Sequence, residues 1–264
     1  MDGHKELNGQ VALVTGGGVG IGRAIAQALV ANHVQVAICG RRLEELDRTA
    51  QELKQMGGEA LPFSCDVTQR EDVERTVQSV VKHFGRLDIL INNAGASGRT
   101  PIQDPDDAKW LNIIAVNLTG TYLCSKLVVP HMLSQKYGRI VNLSSVLGRF
   151  GVSGYLAYCT AKHGVLGFTK ALALELASQG ITVNAICPTW VDTAMARQGI
   201  EETAAIIGIS ADEFRTQAIN AVPIKRMAEA DEVAGLVVYL CSKEASALTG
   251  QALNVCGGAT AGIA

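Results

Sequence analysis

The sequence predicts an α/β protein: one doubly wound parallel sheet of seven strands with helices on both faces. Three observations predict it. Short β-branched runs alternate with longer segments whose apolar residues recur at i, i+3, i+4 and i+7. The first run leads through a glycine-rich turn into the first helical segment. With 264 residues, the chain is long enough for one large domain whose core needs neither disulfide nor metal. Alternation of this kind implies βαβ units, hence parallel strands with connecting helices on either face. The whole chain, 1–264, reads as a single domain.

The first strand is "QVALVT" (10–15), and the helix "GRAIAQALVAN" (22–32) follows it. Between them Thr15, Gly16, Gly20, Ile21 and Gly22 make a turn of spacing Gly-x3-Gly-x-Gly. Glycines there permit a tight turn, let the backbone approach a pyrophosphate and bring helix and strand close, with phosphates at the helix N-terminus. A purely structural turn is the plainer alternative, but the position after the first strand of a βαβ unit favours a dinucleotide. The second strand, "VQVAIC" (34–39), ends at Gly40, where an acid would bind the ribose 2′-hydroxyl of NAD. Arg41 and Arg42 follow instead, and guanidinium groups suit a 2′-phosphate, so the cofactor read here is NADP(H). The alternative is that both arginines are solvated charges at a helix start.

The rhythm continues through "RLEELDRTAQELKQM" (42–56), the strand "ALPFSC" (60–65), "EDVERTVQSVVKHF" (71–84) and the strands "LDILIN" (87–92) and "GRIVNLS" (138–144). A long buried helix, "YLAYCTAKHGVLGFTKALALELA" (155–177), leads to "ITVNAIC" (181–187), and "ADEVAGLVVYLCS" (230–242) to the seventh strand, "ALNVC" (252–256). It breaks once, between about 189 and 226, where two short helix-like pieces, "VDTAMARQG" and "ADEFRTQAI", are joined by Gly- and Ser-containing turns. A long irregular insertion in an α/β sheet is often a substrate lid. Loose packing without function is the alternative.

Composition excludes several classes. A formal charge of −2, with Lys and Arg scattered along the chain, gives no basic footprint for nucleic acid. Seven cysteines lie far apart with no CxxC pair and no His cluster, which argues against a disulfide framework or a metal site and for reduced, cytoplasmic thiols. "MDGHKELNGQ" carries charges where a signal peptide needs its apolar stretch, and no apolar run is read as approaching the ~18 residues of a membrane span. A composition 48% hydrophobic leaves surface to bury in a homo-oligomer.

Tyr158 and Lys162 are four apart in the long helix and share one face, whereas four beyond Tyr155 stands Cys159. A phenol ordinarily titrates at ~10. A nearby ammonium and a positively charged nicotinamide favour the phenolate and bring it toward use as an acid or base. Three more motifs accompany the pair: "NNAG" (92–95), "VNLTG" (116–120) and "GRIVNLSS", which ends at Ser144 and Ser145. With these the sequence resembles the short-chain dehydrogenase/reductase family, over nearly its whole length, from Gly9 to "GGATAG".

The resemblance implies a Rossmann-type domain, a homotetramer and a division of labour. Tyr158 would exchange a proton with the substrate oxygen. Lys162 would depress the tyrosine pKa and bond the nicotinamide ribose, Ser145 would hold the carbonyl oxygen, and Asn117, at a helix irregularity, would bind a water linking Lys162 to solvent. Ser144 and Tyr155 would be neighbours, not catalysts. Asp66 and Val67 of "CDV" would meet the adenine, and Asn93, Ala94 and Gly95 would pack against the adenosine ribose. Pro188, Val191 and Thr193 would flank the nicotinamide carboxamide, although Thr189 replaces the glycine usual after the proline.

Within the family, "VPIKR" and "QALNVCGG" resemble ketoreductases of the aromatic polyketide type and 3-oxoacyl-carrier-protein reductases. The turn "ASGRT" departs from the glycine-rich stretch of the polyketide enzymes. 3-Hydroxybutyrate dehydrogenases share the turn around Trp190, but their carboxylate-binding Gln, His and Lys are here Ser97, Leu147 and Tyr155. A small free acid is thus disfavoured. Leu147, Trp190 and Met195 suggest a larger cyclic, aromatic or acyl-thioester ketone, carried by a carrier protein or coenzyme A in the last case. Arg99 and Arg149 are open between attracting such an anionic group and being solvated charges. Two alternatives to a ketoreductase stand beside it: an NAD(P)-dependent dehydrogenase of secondary alcohols working oxidatively, and an NADP-sensing regulator, against which the presence of Asn117, Ser145, Tyr158 and Lys162 argues. No feature favours a scaffold.

Overall fold

The computed structural model describes residues 7–261. Its strands are β1 (Val11–Thr15), β2 (Gln35–Gly40), β3 (Ala60–Ser64), β4 (Ile89–Asn92), β5 (Gly138–Leu143), β6 (Ile181–Pro188) and β7 (Ala252–Val255). All pair in parallel, in the order β3-β2-β1-β4-β5-β6-β7. Each falls within two residues of its predicted run, because a parallel sheet covered on both faces demands continuous apolar runs that are easy to read. Residues 1–6 of the charged N-terminal stretch, on which the signal-peptide expectation rests, lie outside the described residues.

The helices are α1 (Gly20–Ala31), α2 (Leu43–Gln55), α3 (Arg70–Phe84), α4 (Ala108–Ile114), α5 (Gly120–Gln135), α6 (Leu156–Leu176), α7 (Ala194–Ile207), α8 (Ala211–Ala221) and α9 (Ala230–Cys241). Alternate strand residues feed two cores. Ala12, Val14, Val36, Ile38, Ile89 and Ile91 meet α1, α2 and α9 on one face. Val11, Leu13, Ala37, Leu90 and Ile140 meet α3, α5 and α6 on the other. The strand order reverses direction between β1 and β4, so a crevice opens at their carboxyl ends, where ligands of open α/β sheets bind.

One expectation is corrected. A π-helical turn, Ala115–Thr119, fuses α4 and α5 into a run of 28 residues, Ala108–Gln135, long and apolar enough by length and composition to cross a membrane. The sequence reading expects no apolar run approaching a membrane span, and the π-helical turn is what joins the two segments into one long helix. Its apolar window is 44% buried, with Cys124, Val128 and Met132 in the core beside β5, so part of the apolarity serves the packing of the sheet. The predicted irregular stretch holds α7 and α8, which pack mainly on each other. α7 is longer than the piece the sequence suggests, and no residue of α8 is fully buried.

Candidate active site

The glycine loop occupies the crevice. Gly16 (φ +65°) and Gly20 (φ +54°) take the left-handed conformation. A Cβ on Gly22 would lie 2.2 Å from the Gly16 carbonyl oxygen. Val19, at the cap of α1, offers no side-chain hydrogen bond, and the first turn carries no acid, so the leading N–H groups face the crevice unpaired by a cap. A glycine cradle at an uncapped helix N-terminus fits a pyrophosphate. Thr15 and Asn93 hold it from below: Thr15 Oγ1 accepts from the Asn93 and Ala94 N–H groups at 3.0 and 2.9 Å, and Asn93 Nδ2 donates to the Thr15 and Gly16 carbonyls. Thr15 Oγ1 and Asn93 Nδ2 are therefore spent inside the protein.

Around the loop stand the other residues expected at the cofactor. Arg41 and Arg42 are exposed at the end of β2 and make no ion pair among the described residues. Asp66 Oδ1 accepts from the Thr68 N–H and hydroxyl, shaping the turn after β3, and Val67 packs under Gly120. Ile21 is half-buried on α1 and Pro188 ends β6. Val191 bridges to Ala228, and Thr193 caps α7 with its methyl 3.3 Å from where a Gly20 Cβ would be, which joins the start of α7 to the glycine loop. Thr189 N donates to the Val255 carbonyl, and its φ is not left-handed, so threonine takes the family glycine's place without strain.

α6 carries Tyr158 and Lys162 to the same crevice. Lys162 is 4% exposed, donates to the Leu143 carbonyl at 2.7 Å, and lies 5.5 Å from the Tyr158 ring centre. Ser145 caps a short turn, Val146–Gly148, accepting from the Leu147 N–H at 3.1 Å; its own proton remains available to Tyr158 or to a bound oxygen. Ser144 instead donates to the Lys162 carbonyl, and Gly148 has no room for a Cβ against that pair, so the turn and α6 are locked together. Asn117 sits in the π-helical turn with its Nδ2 donating to the Ala96 and Ile113 carbonyls, while its buried Oδ1 has no partner. That orphan acceptor and Lys162 Nζ converge above Gly95, at 3.1 and 4.0 Å from where its Cβ would be. An unpaired buried acceptor beside an ammonium fits a site completed by a ligand hydroxyl or a water.

Burial pushes the Tyr158 phenol up to about 12, against an opposing hydrogen bond from Ser145. Burial also brings Lys162 down to about 8 and is the largest effect on both groups. At neutral pH the phenol is protonated and the lysine charged.

The substrate candidates divide. Ser97 and Leu147 are half-buried beside the site, and Met195 is 47% exposed on α7. Trp190 packs on Gly199 and edge-on to Phe214, between α7 and α8. Tyr155 is buried at the start of α6 with its hydroxyl on Thr203. Arg99 is half-buried and Arg149 exposed, and each has a partner within the protein. Arg99 stacks on the Tyr155 ring at 5.6 Å, and Arg149 donates to the Ala252 carbonyl. Sequence reading missed Thr100, whose Oγ1 accepts from the Ala157 N–H at 3.0 Å and so caps α6. It also missed Thr203. Both act across more than forty residues, where no spacing signal exists.

The sequence profile described as short chain dehydrogenase matches residues 10–204. A ketoacyl reductase candidate of the granaticin polyketide synthase of Streptomyces violaceoruber is 44% identical over 94% of this chain and 92% of its own. The crystal structure of a single-residue variant of the actinorhodin polyketide ketoreductase with NADPH is 42% identical with a TM-score of 0.93, covering 98% of this chain and 99% of that one. The NAD+-bound structure of xylitol dehydrogenase is 35% identical with a TM-score of 0.92, over 96% of this chain and 100% of its own.

Proposed function

We propose that this chain, which belongs to the short chain dehydrogenase family, reduces a cyclic, aromatic or acyl-thioester ketone to a secondary alcohol with NADPH. The observation that carries the reading is the convergence of Tyr158, Ser145, Lys162 and the orphan Asn117 acceptor beside an uncapped glycine cradle. Gly16, Gly20, Ile21 and Gly22 would hold the pyrophosphate, Asp66 and Val67 the adenine, and Asn93 to Gly95 the adenosine side. Pro188, Val191 and Thr193 would line the nicotinamide side. Bound there, the reduced nicotinamide supplies a hydride to the carbonyl carbon.

Ser145 gives its free proton to the carbonyl oxygen as a hydrogen bond and fixes it beside Tyr158. Tyr158, protonated at neutral pH, donates its proton to that oxygen as negative charge develops. Lys162, an ammonium below about pH 8, stabilises the phenolate left behind. Asn117 holds the donor, water or ribose hydroxyl, that reconnects Lys162 to solvent. A protonated phenol suits reduction better than oxidation. The likeness to an NAD+-bound xylitol dehydrogenase supports the alternative of an oxidative alcohol dehydrogenase. Arg41 and Arg42, without an acid at Gly40, weigh toward NADP(H).

A panel of cyclic, aromatic and thioester ketones with NADPH, followed by nicotinamide absorbance, tests the reading; turnover of none, with turnover of alcohols and NAD+, would reverse it. Two further results are expected. Arg41→Asp lowers the kcat/KM preference for NADPH over NADH by about 10- to 100-fold, the weight of a charge-assisted hydrogen bond, and an unchanged preference defeats the phosphate assignment. For reduction, kcat/KM is flat through pH 7 and falls as pH rises through about 8. The Lys162 pKa is lowered from 10.5, so its charge is present below that point and lost above it. A profile flat to pH 10 contradicts the role of its ammonium.

The family reading of a homotetramer is supported by outward apolar residues on α5 and α6, Tyr122, Leu133 and Leu174, the last 84% exposed; sedimentation velocity tests it. Seven free cysteines support a cytoplasmic setting.

A further inference from the structure

The arm formed by α7 and α8 is held to the body at few points, and one of them lies a single turn from the proposed acid. Tyr155 is the cap residue of α6, three positions before Tyr158, with its ring buried and Arg99 stacked against it. Its hydroxyl lies 3.0 Å from Thr203 Oγ1 on α7. Thr203 has one hydroxyl proton, which goes to the Gly199 carbonyl at 2.7 Å. Tyr155 is therefore the donor in the pair. Gly199 is also where Trp190 lies, 3.5 Å from the place of its missing Cβ. One side of α7 is thus fixed at two successive turns, by Trp190 from the end of β6 and by Tyr155 from the start of α6. Tyr158 stands one turn further along α6 than Tyr155, so the tie to α7 is made next to the proposed acid.

We propose that the Tyr155–Thr203 hydrogen bond is a specificity-determining clasp, which holds α7 against the first turn of α6 and so sets the size of ketone admitted beside Tyr158. This rests on the ketoreductase reading. Besides this bond the arm is held by Arg197 and Arg215, which pair with Asp192, and by the Ile224 N–H on the Gly257 carbonyl, but its packing is thin: α7 buries only Ala196, Ile200 and Ala204, and α8 nothing fully. Removing the phenolic hydroxyl lets α7 recede, so a compact ketone loses a wall and a bulky one gains room. Tyr155 is a positioning residue here, acting through α7 and not on the reacting atoms.

The test compares wild type, Tyr155→Phe, Thr203→Val, the double variant and Thr203→Ser in two measurements. Hydrogen exchange of the amides in 194–207 reads the clasp without any turnover. It is expected to quicken about tenfold in Tyr155→Phe and Thr203→Val and to stay at the wild-type rate in Thr203→Ser, whose hydroxyl can still accept and donate. The second measurement is the ratio of kcat/KM for 2-tetralone over cyclohexanone, or for the matching alcohols if the enzyme works oxidatively. It is expected to rise about five- to tenfold in the same two variants, mainly through KM, with the double variant no further than either single one. Unchanged exchange in Tyr155→Phe overturns the clasp. Faster exchange with an unchanged ratio overturns its part in specificity. Activity on neither ketones nor alcohols, with faster exchange, refutes the ketoreductase reading and leaves the clasp as a structural tie alone.

Discussion

Tyr158→Phe is expected to lower kcat for ketone reduction by about 10²- to 10⁴-fold, the usual contribution of a positioned general acid, while NADPH binding stays within a factor of about two. The substitution removes one oxygen and keeps the ring, so the packing of α6 and the contact of Lys162 Nζ with the ring face survive. What is lost is the proton donor at the carbonyl oxygen. Ser145 cannot replace it, because the Ser145 proton is needed to hold the same oxygen and its own acceptor side is already taken by the Leu147 N–H. Kinetics under saturating NADPH, with a separate titration of cofactor fluorescence, separate the two effects. Turnover within tenfold of wild type would refute the assignment of Tyr158. Loss of NADPH binding would mean that the phenol is mainly a cofactor anchor.

The same residue shows how far sequence carries. Helical spacing places Tyr158 and Lys162 on one face because both lie inside one regular helix, and a period of 3.6 needs no tertiary knowledge. The strands are legible for the same reason: runs such as "LDILIN" are buried on both faces and tolerate few polar residues. The acidity of the phenol is not legible. It depends on how much water the fold removes, and spacing reports charge proximity but not burial, which is the largest effect on both Tyr158 and Lys162. Contacts between distant segments are equally hidden. Thr100 caps α6 from 57 residues away, and Tyr155 reaches Thr203 across 48. Thr100 closes the turn "ASGRT" and Thr203 lies in the lid, and neither segment carries a pattern that names its distant partner. Arg99 and Arg149 look available because a basic side chain in a loop is usually solvated; the fold instead gives one an aromatic face and the other a strand carbonyl.

Gly22→Ala is expected to weaken NADPH binding by at least about 100-fold, and here the effect comes from one added methyl group in the cradle. The new methyl would meet the Gly16 carbonyl oxygen at 2.2 Å, Asn93 Nδ2 at 2.5 Å and the Gly16 carbonyl carbon at 2.8 Å. None of these can step aside cheaply. Gly16 is fixed in the left-handed region with its N–H on the Cys39 carbonyl at 2.7 Å, and Asn93 Nδ2 is held by two carbonyls. The loop must therefore move as a unit, carrying the first N–H groups of α1 away from where phosphates would lie, at a cost of about 1–3 kcal/mol typical of overpacking. Tyr158, Ser145 and Lys162 sit on other segments and keep their geometry. The readout is thermal stability with and without NADPH. Cofactor at 100 times its Kd stabilises a protein by about 2.7 kcal/mol, and the variant is expected to lose nearly all of that increment besides starting lower. Gly235→Ala is the matched control: it lies in α9 with nothing within 4 Å of a new Cβ, and alanine there is expected to stabilise by about 0.5–1 kcal/mol and leave the cofactor increment intact. If Gly22→Ala kept the full increment, the cradle would be a structural turn and the dinucleotide would have to bind elsewhere in the crevice.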